Sequence, residues 1–168
     1  MKASAFHHPG LRVTDIDRAA RFYLDAFDGR WLTVPFVLEG DFPEVVMGGP
    51  RGVRFKVCHI GFDQGAVELF EFLEPVHPID VVHPSRGNLI HFGLQVEDVA
   101  EALERVEAAG GRRLWPGINP WGTASVIYVA DPDENIIELI DVSLERIVEL
   151  VIEAIPEADP GAGRRRGD

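Results

Sequence analysis

The sequence predicts an α+β fold made of two βαβββ modules followed by a C-terminal helix. The main observation is a repeat, in which residues 8–16 (HPGLRVTDI) return as residues 91–99 (HFGLQVEDV). A second matched pair follows downstream, with VELFE at residues 67–71 and IELID at residues 137–141. Matched segments in the same order indicate two matched structural units, each with one histidine and one glutamate on an apolar strand.

The first module is predicted at residues 1–75. Its first strand covers residues 6–13, and Thr14 or Asp15 can cap a helix over residues 16–27, which has a broad apolar side. A long loop rich in glycine and proline is predicted at residues 39–52. Three strands complete the module, at residues 31–38, 53–61 and 66–73, the last two joined as a hairpin.

The second module is predicted at residues 89–142, after a linker at residues 76–88. Asp98 caps a helix that ends near residue 109. The strands are predicted at residues 89–96, 112–115, 125–130 and 136–142, with a loop at residues 116–122. An amphipathic C-terminal helix follows at residues 143–156, and residues 157–168 are expected to form a disordered tail.

Composition limits the classes of partner. The chain has 168 residues and a formal net charge of −12, which argues against nucleic acid and anionic membranes as partners. The single cysteine, Cys58, excludes a disulfide within the chain and suits a reducing compartment. The sequence has no signal-peptide pattern and no apolar run long enough to span a bilayer, so we expect a cytoplasmic protein.

Strand alternation puts the repeated histidines on defined faces. His8 shares a face with Gly10 and Arg12, and His91 shares a face with Gly93 and Gln95. The glycine beside each histidine leaves room for a ligand.

The matched carboxylates, Glu68 and Glu138, stand between apolar neighbours and need a counter-charge. A divalent cation bound by two imidazoles and two carboxylates would provide one.

The pattern resembles the vicinal-oxygen-chelate superfamily, which includes glyoxalase I, methylmalonyl-CoA epimerase, extradiol dioxygenases and the fosfomycin and bleomycin resistance proteins. The likeness covers residues 6–141 and is most typical at Trp121-Gly122, DPD at 131–133 and NIIEL at 135–139. It implies that the two modules form a curved mixed sheet around a metal cavity. The implied ligands of one divalent ion (nickel, cobalt, zinc or manganese, with iron as the alternative) are His8, Glu68, His91 and Glu138.

This ligand set is most similar to that of glyoxalase I. The resemblance therefore implies a metal-dependent lyase or isomerase that moves a proton next to a carbonyl of a small oxygenated substrate. Glu68 and Glu138 are the predicted catalytic residues, and Arg12 and Gln95 are predicted to contact the substrate. We expect a homodimer, in which the site could lie within one chain or be shared between two.

Two alternatives remain at this point. A non-haem iron dioxygenase of the extradiol type would use His8, His91 and Glu138. A metal-free protein that binds an antibiotic or another small molecule would not need the full ligand set.

The sequence departs from the superfamily pattern in two places. Glu134 replaces the glycine that usually follows Asp-Pro-Asp, so Asn135 is expected to take the positive φ of the turn. The middle loops show no match that can be tied to glutathione or coenzyme A binding. His59 has no mate in the repeat, but it could line the cavity.

Overall fold

The computed structural model describes residues 5–41, 44, 50–78 and 91–160. Its first module contains five elements and a four-stranded sheet in the order β1-β4-β3-β2. β1 runs parallel to β4, and the other neighbours are antiparallel. The elements are β1 (Gly10–Val13), α1 (Ile16–Phe27), β2 (Arg30–Leu38), β3 (Arg54–Gly61) and β4 (Ala66–Glu74).

The second module repeats this plan, with a sheet in the order β5-β9-β8-β6 and a short strand β7 that also pairs with β8. β5 is parallel to β9, as β1 is to β4. The elements are β5 (Phe92–Gln95), α2 (Val99–Ala108), β6 (Arg112–Arg113), β7 (Asn119–Trp121), β8 (Ala124–Ala130) and β9 (Ile136–Ile140). The helix α3 (Leu144–Ala154) follows, and a 3-10 turn is formed by Pro156–Ala158.

The predicted α+β class, the two βαβββ-type modules and the C-terminal helix are confirmed. Several details differ from the sequence predictions. The strands form two mixed sheets, and β7 lies inside a segment predicted as loop. β1 begins at Gly10, after Pro9, which has no N–H to donate to a ladder. The tail was predicted to be disordered from residue 157, but Glu157 and Ala158 belong to the 3-10 turn. Residues 79–88 of the predicted linker (76–88) and residues 161–168 of the tail lie outside the described residues.

Asp15 and Asp98 are the N-caps of the two module helices, so the structure selects Asp15 from the two candidates, Thr14 and Asp15. The Asp15 carboxylate accepts hydrogen bonds from the N–H groups of Asp17 and Arg18, and Asp98 does the same for Ala100 and Glu101. These bonds satisfy N–H groups that have no partner inside the helix.

None of the helices in the described part of the chain has the length and apolar character needed to cross a bilayer.

Both helices contribute to one hydrophobic core that spans the modules. Phe22 and Tyr23 of α1 are fully buried, together with Val106 of α2 and with strand residues such as Leu69 and Ile137. The two neighbours of Glu68 in β4 and the two neighbours of Glu138 in β9 enter this core, so both glutamates face the other side of their sheets.

A buried polar junction ties the first module to the turn between β8 and β9. The Tyr23 hydroxyl donates to Asp131 Oδ2 at 2.9 Å, and both residues are buried. Arg18 Nη2 and the Thr14 N–H donate to Asp133 Oδ1 at 2.8 and 2.9 Å. Burial raises the pKa of Asp131, although its hydrogen bonds oppose that shift.

The same turn corrects the prediction for Asn135. Glu134, not Asn135, takes the positive φ, at 68°. The Asn135 side chain instead donates to Asp131 Oδ2 at 2.8 Å, while its N–H donates to Asp131 Oδ1 at 2.8 Å. The Asp131 carboxylate therefore fixes Asn135, and Glu134 adopts the strained left-handed backbone conformation.

We predict that Tyr23→Phe lowers the free energy of unfolding by about 1–3 kcal/mol, because a buried carboxylate loses a hydrogen-bond donor. Urea unfolding followed by circular dichroism measures the change. Tyr128→Phe is the matched control, since that hydroxyl bonds to a partly exposed carboxylate and should cost less. Equal losses in the two variants would contradict the role of the junction.

Cys58 should be unreactive in the folded protein. Burial raises the pKa of the Cys58 thiol to about 12, so about one thiol in ten thousand is ionised at pH 8. We expect negligible reaction with Ellman's reagent in native buffer and one thiol per chain in denaturant. Rapid labelling of the native protein would contradict this prediction.

Candidate metal centre

The first half-site, formed by His8, His59 and Glu68, lies on the sheet face opposite α1. β1 pairs with β4 so that Gly10 stands beside Glu68, and His59 of β3 pairs with Glu68 from the other side. His8 Nε2 lies 3.0 Å from Glu68 Oε2, and His59 Nε2 lies 3.2 Å from Glu68 Oε1. Each oxygen of this carboxylate therefore has its own imidazole partner.

Thr33 of β2 orients the His59 ring. The Thr33 hydroxyl oxygen lies 3.0 Å from His59 Nδ1 and also accepts the His59 N–H at 3.0 Å. These contacts hold the ring so that Nε2 points to Glu68. The repeat did not assign His59 to the site, because the second module has no histidine at the matching position; only the pairing of β3 with β4 identifies it.

The second half-site, formed by His91, Tyr128 and Glu138, has the corresponding position on the second sheet. His91 Nε2 lies 3.4 Å from Glu138 Oε2, and the Tyr128 hydroxyl donates to Glu138 Oε1 at 2.9 Å. Burial, with the Glu138 hydrogen bond, raises the pKa of Tyr128 to about 12, so the phenol stays protonated at neutral pH. Sequence analysis missed Tyr128. Its position opposite Glu138 in the β8–β9 hairpin is the feature that could have identified it.

The two half-sites do not meet within the chain as described. Among those residues, no three His, Cys, Asp or Glu side chains are grouped so that they could hold a metal ion. The structure thus brings His8 to Glu68 and His91 to Glu138, but it does not bring the two pairs together.

The donor chemistry of each pair nevertheless fits a divalent cation. Two ligands about 2.1 Å from one ion, at angles between octahedral and tetrahedral, are about 3.0–3.4 Å apart. The N–O separations in the two pairs are 3.0 and 3.4 Å. His91 Nδ1 is buried and has no hydrogen-bond partner in the described structure.

The predicted substrate contacts occupy different surroundings. Arg12 donates to the carbonyl oxygens of His77 and Pro78, and it lines a small apolar cavity. Gln95 lines a larger cleft of about 790 Å³ between the modules, together with Gly93. The two predicted substrate contacts therefore line different cavities.

The glycines beside the histidines face close neighbours. A Cβ on Gly10 would lie 3.2 Å from the ring of Phe70, and a Cβ on Gly93 would lie 3.7 Å from Glu138 Oε2. At Gly10 the space predicted for a ligand is therefore used by an aromatic ring. At Gly93 the nearest neighbour is the candidate ligand itself, at an ordinary van der Waals distance.

Comparison with known proteins identifies the family. The model of the Glyoxalase/Bleomycin resistance protein/Dioxygenase superfamily matches residues 5–139, which include both half-sites. The chain belongs to this superfamily. A lactoylglutathione lyase from Neisseria meningitidis is 30% identical over 135 residues, which are 79% of this chain and 87% of that protein.

A probable chloroplastic lactoylglutathione lyase from Arabidopsis thaliana is 28% identical over 136 residues. The match covers 80% of this glyoxalase-superfamily chain but only 35% of the plant protein. The chain therefore spans about a third of the length of that relative.

Solved structures show the same fold. A glyoxalase family protein from Bacillus cereus superposes with a TM-score of 0.74 at 16% identity, covering 84% of this chain and 95% of that one. A fosfomycin resistance protein from Listeria monocytogenes gives a TM-score of 0.57 at 18% identity, covering 86% and 98%.

Proposed function

We propose that this protein is a divalent-metal-dependent lyase or isomerase of the glyoxalase type that transfers a proton next to a carbonyl. One observation carries the proposal: an imidazole and a carboxylate are paired at equivalent positions on two matched sheets. The similarity to lactoylglutathione lyases supports this reaction type. His8, Glu68, His91 and Glu138 would hold one ion of nickel, cobalt, zinc, manganese or iron.

When bound, the ion would supply Lewis acidity that polarises the substrate carbonyl. The chain's own carboxylates would move the proton. Glu68 removes the proton from the carbon beside the carbonyl, and Glu138 delivers a proton to the neighbouring carbon. A hemithioacetal of a 2-oxoaldehyde would thereby become the thioester of a 2-hydroxy acid. Its carbon-bound proton moves to the former carbonyl carbon and its hydroxyl proton moves to the former carbonyl oxygen, so no atom is gained or lost.

The partners of the two carboxylates suit these roles. His59, which is outside the proposed ligand set, holds Glu68 Oε1, so the orientation of this carboxylate is set before substrate arrives. The Tyr128 hydroxyl holds Glu138 in the same way and remains protonated at neutral pH. Tyr128 and His59 act here as positioning residues.

We further propose that two chains assemble as a homodimer and share each site. Because the half-sites do not meet within the described structure, the second half-site of another chain would complete the set of four ligands. The edge strand β2 also exposes large apolar side chains, with Leu32 51%, Val34 65% and Val37 43% exposed. An exposed apolar edge strand of nine residues favours coverage by a partner.

We predict that Glu68→Gln abolishes proton transfer without unfolding the protein. With methylglyoxal and a thiol as substrates, thioester formation should fall by about a hundredfold or more, because the amide cannot accept the proton. Glu71→Gln is the matched control: it is on the same strand but faces α1, where it accepts the Ile16 N–H.

The metal content of protein purified without chelator completes this test. About one nickel, cobalt, zinc or manganese ion per chain agrees with the proposal. Unchanged turnover in Glu68→Gln would refute it. Iron together with oxygen uptake on a catechol would favour the dioxygenase, and failure to take up any metal would favour a binding protein.

Mixing two inactive variants tests the shared site. One variant carries His8→Ala and Glu68→Gln, and the other carries His91→Ala and Glu138→Gln. If each site is shared between two chains, a heterodimer of the two variants has four intact ligands in one of its two sites. About half of the co-expressed dimers are heterodimers, so about one quarter of wild-type activity and metal binding should return. A site contained in one chain would recover nothing, which is the outcome that contradicts the proposal.

A further inference from the structure

The face of the first sheet that carries Glu68 changes from polar to apolar along β4. Residues paired across strands place their side chains on the same face. The row next to Glu68 consists of Arg12, Phe70 and Val57, and the row beyond it of Phe72 and Phe55. The Phe55 ring lies 5.3 Å from the ring of Phe70 and 5.5 Å from the ring of Phe72, between centroids. Phe55 and Val57 are buried in a small core cluster, and the half-buried rings of Phe70 and Phe72 pack against it. These two rings form an aromatic wall that begins beside the first half-site.

A cavity of about 360 Å³ opens at the far end of this wall. This volume is in the range of small-molecule pockets. Its lining is largely apolar and consists of Arg12, Pro50, Val53, Phe72, Pro75 and His77. Glu68 and Phe72 are four residues apart on one strand, so the cavity lies roughly 13 Å from the candidate metal ligand.

Arg12 provides a fixed positive charge in this cavity. Its guanidinium lies 5.9 Å from the centroid of the Phe72 ring, and two of its N–H groups donate to the carbonyl oxygens of His77 and Pro78. Within the described structure it forms no ion pair with a carboxylate. Because a guanidinium has five N–H donors, it can still bind an anion while it keeps both carbonyl contacts.

Building on the proposed function, we infer that the substrate has an apolar body, of aryl or branched-alkyl type, that ends in a carboxylate. Its reacting oxygens face Glu68, its body lies on Phe70 and Phe72, and its carboxylate binds Arg12. A peptide thiol such as glutathione would instead place amide groups and an ammonium against Phe70, Phe72 and Val53, whose side chains offer no hydrogen-bond partner. Unpaired polar groups of this kind are costly to bury.

Calorimetric titration of the metal-free protein tests this inference without any dependence on catalysis. We expect 3-phenylpropionate to bind at least about tenfold more tightly than glutathione. Arg12→Gln should weaken phenylpropionate by about tenfold, yet leave the neutral 3-phenylpropionamide unchanged, because only the charged ligand gains from the guanidinium. Phe72→Ala should weaken both aryl ligands.

Two control variants and one conservative variant keep the result specific. Arg21→Gln removes an arginine that bonds to the carbonyl oxygen of Asp17, and Trp115→Ala removes an exposed aromatic ring of the second module. Neither should change binding. Because Phe72 contacts Phe55, Phe72→Ala could destabilise the fold. In that case Phe72→Leu takes its place, and we expect it to weaken binding of the aryl ligands by less than about tenfold.

A second measurement separates this inference from the proposed function. Metal-loaded protein is assayed with methylglyoxal and either 4-(mercaptomethyl)benzoate or glutathione, which present the same reacting atoms on different bodies. Preference for the aryl thiol supports the inference. Glutathione binding as tightly as phenylpropionate, or aryl binding unaffected by Arg12→Gln and Phe72→Ala, overturns it. Aryl binding without turnover of either thiol would count against the proposed function alone.

Discussion

The parallel pairing of the first and last strands in each module determines where the chemistry of this protein can occur. Gly10 pairs with Glu68 and Gly93 with Glu138, and this register places an imidazole beside a carboxylate on the face opposite the helices. A slip of one residue would turn each glutamate into the hydrophobic core. The alternating burial of β4 and β9 opposes such a slip, so the core and the candidate site depend on the same register.

The junction between modules explains why the half-sites are separate in one chain. The helices pack together over a common core, and Tyr23 and Arg18 bind the turn that contains Asp131 and Asp133. The faces that carry Glu68 and Glu138 are both opposite to this core. Association with a second chain offers a way to complete a four-ligand set, and it would also cover apolar residues of β2 such as Val34.

The surroundings of the two carboxylates differ more than the repeat suggests. Glu68 is held between two imidazoles, and Glu138 is held by an imidazole and a protonated phenol. Beyond Glu68 the face becomes aromatic and ends at Arg12. Matched strands therefore carry the same pair of a histidine and a glutamate, while the side chains around the two carboxylates differ.

Local pattern was enough to predict much of this protein. The repeat predicted two modules, a cap at Asp98 and a cap at Thr14 or Asp15, because strand alternation and helix capping depend on residues close in sequence. Sequence analysis placed the positive φ on Asn135 and missed β7, because hydrogen bonds to Asp131 and pairing with β8 decided those features. Only the tertiary structure placed His59 and Tyr128 on the carboxylates and kept the two half-sites apart. Pairing between strands and packing between modules are long-range contacts, which spacing along the chain does not encode.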